Sequence, residues 1–107
     1  MTIKKYDKLV RDKIPEIIFR NGSKPKVYIA THEEYITRLA HKLQEEMDEF
    51  TDNPCVEELA DIQEVILSLA DACGWDLERQ RLTKNLNRGG FEKRYILIEV
   101  DEDAKQS

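Results

Sequence analysis

Two clusters of acidic residues, each inside an amphipathic helical pattern, constrain the fold of this chain more than any other feature of its sequence. The first is Glu45-Glu46-x-x-Glu49 and the second is Glu58-x-x-Asp61. The short Asn53-Pro54 break between them predicts two helices that fold back on each other as an antiparallel pair. Several carboxylates would then meet across this pair, where two like charges at about 5 Å cost on the order of 3 kcal/mol. The pattern therefore predicts a bound hard cation, and carboxylate oxygens are the ligands that Mg²⁺ prefers.

Composition indicates a small globular protein. The chain has 107 residues, 36% of them charged and 40% hydrophobic, which predicts a single domain over 1–107 with a modest core. No apolar run approaches the roughly 20 residues of a membrane span, and the N-terminus has no signal-peptide pattern. Cys55 and Cys73 lack metal-site or redox spacing, so we expect reduced thiols in a cytoplasmic protein without membrane association.

The charges are unevenly distributed along the chain. The segment 43–78 contains twelve Asp and Glu and no Lys or Arg, whereas 1–26 carries eight Lys and Arg against three acids, and 79–94 carries six against one. This order is unlike the uniform basic surface of a protein that binds a nucleic acid polymer. It would suit a metal held by carboxylates with cations around a polyphosphate, while solvated helix faces are the alternative for any single run.

Local signals predict four helices. A short helix should begin near Pro15 and end at Asn21-Gly22, and the capping box Thr31-x-x-Glu34 should open a second helix that runs to about Thr51. Asn53-Pro54 is expected to cap and start a third helix, which runs to about Cys73 and stops at Gly74. A fourth should extend from about Asp76 to Arg88.

Two apolar segments, 26–30 and 95–100, have the composition of short strands. The fold class predicted is therefore all-α: an antiparallel bundle of about four helices with a small two-stranded β appendage. The third helix is apolar on more than one side, including Leu59, Ile66 and Leu67. Such a helix is central or lies at a subunit interface, which in so short a chain favours a homodimer or a higher homo-oligomer.

The acidic residues lie where a metal site could form. Glu46 and Glu49 share one strip of the second helix with Lys42, at spacings of four and seven. Glu58 falls inside the apolar arc of the third helix, with Asp61 at its edge, and a buried carboxylate requires a partner. A metal shared between the two helices would provide one. Each motif taken alone is more often a solvated helix face.

Larger pieces of the sequence resemble a known family. The runs 42–50 (KLQEEMDEF) and 58–62 (ELADI) look like the MazG-type all-α nucleoside triphosphate pyrophosphohydrolases. The segments 6–15 (YDKLVRDKIP) and 88–91 (RGGF) look like the phosphoribosyl-ATP pyrophosphohydrolase-like branch of that superfamily. Only eight residues separate Glu49 from Glu58, which is short for the MazG pattern and leaves less room for loop contacts to base and sugar.

This resemblance implies a Mg²⁺-dependent hydrolase, with Mn²⁺ as a substitute, that cleaves the α–β phosphate bond of a (d)NTP or related nucleotide to a monophosphate and pyrophosphate. The residues that it implies fall into three groups. The metal ligands would be Glu46, Glu49, Glu58 and Asp61; Glu45 or Glu49 would act on the attacking water; and phosphates would be bound by Lys42, Lys84, Arg88, Lys8 and Arg11.

Two other functions remain compatible with the residues. One is a non-catalytic helical module that senses a nucleotide or a metal, and the other is a purely structural helical oligomer. His32 and His41 have no pattern that pairs them with a nucleophile.

Overall fold

The computed structural model of the chain describes residues 2–104, and the secondary structure within this range is entirely helical. The chain divides into two compact units, one up to Trp75 and the other from Asp76 onward. No helix in the described range is both long enough and apolar enough to cross a membrane. The helices are α1 (Ile14–Arg20), α2 (His32–Asp52) and α3 (Val56–Cys73) in the first unit, and α4 (Leu77–Arg88) in the second.

The predicted helix ends are largely confirmed, because each is set by local chemistry. Thr31 caps α2, and its hydroxyl accepts a hydrogen bond from the Glu34 backbone N–H at 3.2 Å. Gly74 ends α3 in the left-handed conformation, with φ of 69°, which glycine adopts without steric cost. Asp76 caps α4 by accepting a hydrogen bond from the Arg79 N–H at 3.1 Å.

Helices α2 and α3 pack against each other around a three-residue turn, 53–55, and form the helical hairpin that the sequence predicts. The expected role of Asn53-Pro54 at the start of α3 is wrong. Asn53 is the C-cap of α2 and Cys55 is the N-cap of α3, so Pro54 lies between the helices. Proline still suits this place, since it cannot continue a preceding helix.

The predicted β appendage is not present in the described part of the chain. Residues 26–30 and 95–100 have no strand structure and form no backbone hydrogen bonds to a neighbouring segment. Their large apolar side chains are exposed, including Ile29 at 98% and Ile98 at 88%. Composition predicts extended backbone, but a β-ladder also needs a partner strand, and a lone two-stranded ribbon is marginal in water. The two segments also belong to different compact units.

Residues 6–13, the N-terminal segment, lack regular structure and are joined to the hairpin by ion pairs. Arg38 of α2 contacts Asp7, Lys8 contacts Glu45 of α2, and Arg11 contacts Asp61 of α3. The segment therefore brings basic side chains from the start of the chain to the acidic helices. The single-domain assignment over 1–107 stays a prediction.

Candidate metal centre

Three carboxylates converge between the two helices of the hairpin. Glu46 comes from α2, and Glu58 and Asp61 come from successive turns of α3 at a spacing of three. One carboxylate oxygen from each of these residues lies within 4.8 Å of the other two. Since a hard divalent cation is coordinated by several oxygens at once, the spacing and the donor type both suit such an ion.

Glu46 is buried in the hairpin, with 6% of its surface exposed, whereas Glu58 and Asp61 are half-buried. Within the described residues, neither Glu46 Oε2 nor Glu58 Oε2 has a hydrogen-bond partner, although both atoms are shielded from solvent. Leaving a buried acceptor unpaired costs about 1–3 kcal/mol, and more for a charged group. Two such atoms in one cluster are the clearest sign that these carboxylates could hold a cation.

The electrostatics of the cluster agree with its geometry. Burial raises the pKa of Glu46 above its ordinary value, and the nearby charge of Glu49 raises it further, against the opposing effect of Lys42. Burial likewise raises the pKa of Glu58, followed by the charges of Glu49 and Asp61. Both carboxylates are thus held in surroundings that disfavour their charged forms, which a bound cation would reverse.

Glu49 is a predicted metal ligand that the structure places at the border of the cluster. It is exposed and is not one of the three converging carboxylates, but its charge acts on both Glu46 and Glu58. Among the described residues, no lysine or arginine forms an ion pair with it. It is therefore available to a fourth ligand position or to a water molecule.

Two of the predicted phosphate-binding residues, Lys42 and Arg11, contact the acidic cluster, and Lys8 contacts the neighbouring Glu45. Lys42 Nζ lies 3.6 Å from Glu46 Oε1 and 3.7 Å from Glu45 Oε2, and Lys8 Nζ lies 3.4 Å from Glu45 Oε1. Arg11 Nη2 donates a hydrogen bond to Asp61 Oδ1 at 2.6 Å. The segment 43–78 has no base of its own, so these cations come from outside it, and the two Oε2 atoms stay unpaired. Glu45 is half-buried between these two lysines.

Lys84 and Arg88, the other predicted phosphate-binding residues, belong to the second unit. They are exposed and lie one turn apart on α4, so one ligand could contact both. Their assignment stays a prediction.

Two residues near the site were not identified from the sequence. Arg38 donates hydrogen bonds to Asp7, at 2.8 Å to its backbone oxygen and 3.1 Å to Oδ1, and His41 lies beside it. A signal was available, because Arg38, Lys42 and Glu46 are spaced by four and so share one strip of α2.

Arg11→Gln should tighten the binding of Mg²⁺ to the nucleotide-free protein by about two- to fivefold. The Arg11 guanidinium neutralises Asp61, so a metal at this carboxylate competes with an exposed ion pair worth about 0–1 kcal/mol. Calorimetric titration with Mg²⁺ measures the change.

Lys13→Gln is the matched control for this variant, because it removes the same charge from the same region and Lys13 forms no ion pair within 2–104. Equal effects of the two variants would show that only diffuse charge matters, and weaker Mg²⁺ binding by Arg11→Gln would show that Arg11 supports the metal.

No protein-family model, curated protein or solved structure matches this chain.

Proposed function

We propose that this protein is a Mg²⁺-dependent nucleotide pyrophosphohydrolase, which cleaves the bond between the α and β phosphates of a (d)NTP or related nucleotide. The observation that carries this proposal is the partly buried group of three carboxylates with two unpaired oxygens, beside three basic side chains. The carboxylates are those of Glu46, Glu58 and Asp61, and the basic residues are Lys8, Arg11 and Lys42. Several kinds of reaction use a metal beside bound phosphates, and the resemblance of the two acidic runs to MazG-type enzymes favours this one.

The residues fit Mg²⁺ or Mn²⁺ as the cofactor. The site offers only carboxylate oxygens, and two of these are shielded from solvent and without hydrogen-bond donors. Glu46, Glu58 and Asp61 would hold the metal, with Glu49 as the nearest further ligand. A bound Mg²⁺ would supply charge neutralisation at the phosphates and a more acidic water.

Glu49 is the better candidate for the general base. Hydrolysis adds water at the α phosphorus and releases pyrophosphate, so a carboxylate must accept a proton from the attacking water. Glu45 is held between the ammonium groups of Lys8 and Lys42, which compete for its oxygens. Glu49 is exposed at the border of the cluster and forms no ion pair within the described range.

The lysine and arginine side chains around the cluster would stabilise the charge that develops on the departing phosphates. Such stabilisation by fixed cations is the main contribution that proteins make to phosphoryl transfer. Lys42 is the best placed of these residues, since 18% of its side chain is exposed and it contacts the cluster directly.

The experiment that tests the reaction is incubation of the purified protein with a panel of NTPs and dNTPs, with Mg²⁺ and with EDTA, followed by separation of the products. Monophosphate and pyrophosphate formed only with Mg²⁺ are the expected result. The panel also reports base and sugar preference. Nucleotide binding without turnover under any divalent metal would instead establish the non-catalytic sensing module, for which the short connection between the acidic motifs is the supporting observation.

The outer face of α3 supports assembly of the protein as a homodimer or higher homo-oligomer. An open apolar groove of about 370 Å³ runs along this helix, lined by side chains that include Val56, Leu59 and Ile66. Val56 is 73% exposed and Leu59 is 53% exposed, which is costly for aliphatic side chains on one contiguous face. A second copy that presents the same helix would cover both faces.

Leu59→Glu should convert the oligomer to monomers, because the charge would be buried in the interface. Light scattering coupled to size-exclusion chromatography measures the mass. Leu86→Glu, at an 86% exposed position on α4, is the control and should leave the mass unchanged. A wild-type protein that is monomeric at high micromolar concentration would rule out this assembly.

A further inference from the structure

A second pocket lies beside the acidic cluster, between the N-terminal segment and α2. It has a volume of about 150 Å³, which is well below that of pockets for drug-sized ligands and suits a phosphate group better than a base. Its wall is rich in cations: Lys8, Arg38 and Lys42 carry three positive charges against the two carboxylates of Asp7 and Glu45. His41 completes the polar lining.

Arg38 presents its guanidinium to an anion in this pocket. Nη1 donates to the Asp7 backbone oxygen at 2.8 Å and Nη2 donates to Asp7 Oδ1 at 3.1 Å, while Glu34 lies 3.5 Å from Nη2. The Asp7 side chain is 82% exposed, so the nearer of the two carboxylates on Arg38 faces solvent. Only Nη2 meets the Asp7 carboxylate, and guanidinium groups bind phosphates as well as carboxylates, so a phosphate oxygen could replace Oδ1 at this nitrogen.

The backbone conformation of Asp7 indicates that its contact with Arg38 is made at a steric cost. Asp7 has a φ of 49°, in the left-handed region that residues with a Cβ seldom adopt. Aspartate and asparagine tolerate this conformation better than most residues, but it still carries a steric cost. A ligand that released the Asp7 carboxylate from Arg38 would therefore break a contact made from a strained position.

The pocket and the acidic cluster form one arrangement with opposite charges at its two ends. Along α2, residues at intervals of four lie on one side of the helix, and here they are Arg38, Lys42 and Glu46. Two cations are therefore followed by one carboxylate of the acidic cluster. Lys42 lies between the two parts, 3.6 Å from Glu46 and 3.7 Å from Glu45. A metal–polyphosphate ligand has the complementary distribution, with its cation at one end and phosphate oxygens at the other.

We propose that this pocket binds the terminal phosphates of the substrate, the part that leaves as pyrophosphate, and that Arg38 is a phosphate ligand for which Asp7 is the internal competitor. The proposal rests on the pyrophosphohydrolase function and adds to it the position of the leaving group. The N-terminal segment then has a role in binding: Lys8 lines the pocket, and Asp7 forms the contact with Arg38 that the substrate displaces.

The test is the affinity for inorganic pyrophosphate, measured by calorimetry in the presence of Mg²⁺ for three variants. Arg38→Gln should weaken binding by about tenfold or more, because it removes a charge-assisted contact to the phosphate. Asp7→Asn should tighten binding severalfold, since asparagine tolerates the same backbone conformation but no longer competes as an anion. Arg20→Gln, which removes an arginine that pairs with Glu16 on α1, should have no effect.

The opposite changes in pyrophosphate affinity expected for Arg38→Gln and Asp7→Asn distinguish a phosphate-binding role of Arg38 from a purely structural one. If the Arg38–Asp7 contact only held the N-terminal segment in place, both variants would weaken binding together, and the proposal would be wrong. Absence of pyrophosphate binding by the wild-type protein would also overturn it. Should Arg38→Gln fail to fold, the Asp7→Asn result decides by itself.

The two levels of the proposal can fail separately. Turnover of the nucleotide panel together with unchanged pyrophosphate affinity in Arg38→Gln would refute the pocket and leave the reaction standing. If the wild type binds pyrophosphate and the two variants show the expected changes in affinity, but no nucleotide is hydrolysed, the phosphate pocket stands and the catalytic function is refuted.

Discussion

Asp61→Asn is expected to lower the rate of nucleotide hydrolysis by about a hundredfold or more while the protein stays folded. Asp61 is one of the three converging carboxylates, and an amide is a much poorer ligand for a hard cation. The metal-dependent stabilisation of the transition state would be lost with it. Steady-state rates with the best nucleotide of the panel, at several Mg²⁺ concentrations, measure the effect.

Asp71→Asn is the matched control, because it makes the same chemical change on α3 at an exposed position outside the cluster. Circular dichroism and thermal melting should show that both variants are folded, since the Arg11–Asp61 pair is exposed and contributes little to stability. A folded Asp61→Asn variant with normal activity would refute the metal assignment.

Glu46→Gln should have opposite effects on the metal-free and the metal-bound protein. Without metal, the variant should be more stable than the wild type by on the order of 1 kcal/mol, because burial and the nearby charge of Glu49 outweigh the contact of this carboxylate with Lys42. With Mg²⁺ at about 100 times its Kd, the wild type should gain roughly 2.7 kcal/mol and the variant little, since it lacks a ligand. Chemical denaturation with EDTA and with Mg²⁺ measures both differences, and Glu64→Gln on the exposed side of α3 is the control.

The stability difference between Glu46→Gln and the wild type in metal-free protein should also depend on pH. Burial raises the pKa of Glu46 in the folded state, so the folded protein binds more protons than the unfolded chain between the ordinary glutamate pKa and the raised value. The stability contributed by this group therefore falls as pH rises through that interval, and the full penalty is present above it. We expect the difference between variant and wild type to be largest near neutrality and to shrink toward about pH 4. A difference that is constant with pH would show that Glu46 is not the origin of the penalty.

The helix boundaries could be predicted because each depends on a few neighbouring residues. The Thr31 cap, the left-handed Gly74 and the Asp76 cap all lie where local patterns placed them. The β appendage could not be predicted in the same way. Segments 26–30 and 95–100 have strand composition, but whether a segment forms a ladder depends on a partner that local composition does not specify.

The sequence also indicated that carboxylates of the two acidic motifs would meet, whereas their role as metal ligands stays a prediction. Glu46, Glu58 and Asp61 converge as their helical spacing indicated, and burial of Glu46 follows from its position on the inner side of α2. Glu49 shows the limit of that reasoning. It shares a strip with Glu46, yet one further turn along the helix places it at the exposed border of the cluster.

The sequence by itself determined a mainly helical fold, the ends of most helices and the meeting of two acidic motifs across a hairpin. These features arise from contacts between residues a few positions apart and from one short turn. Only the tertiary structure decided which cation faces which carboxylate: Arg11 meets Asp61 across 50 residues, and Arg38 meets Asp7 across 31. Such pairs depend on the path of an irregular segment over two helices, and no periodicity in the sequence encodes that path.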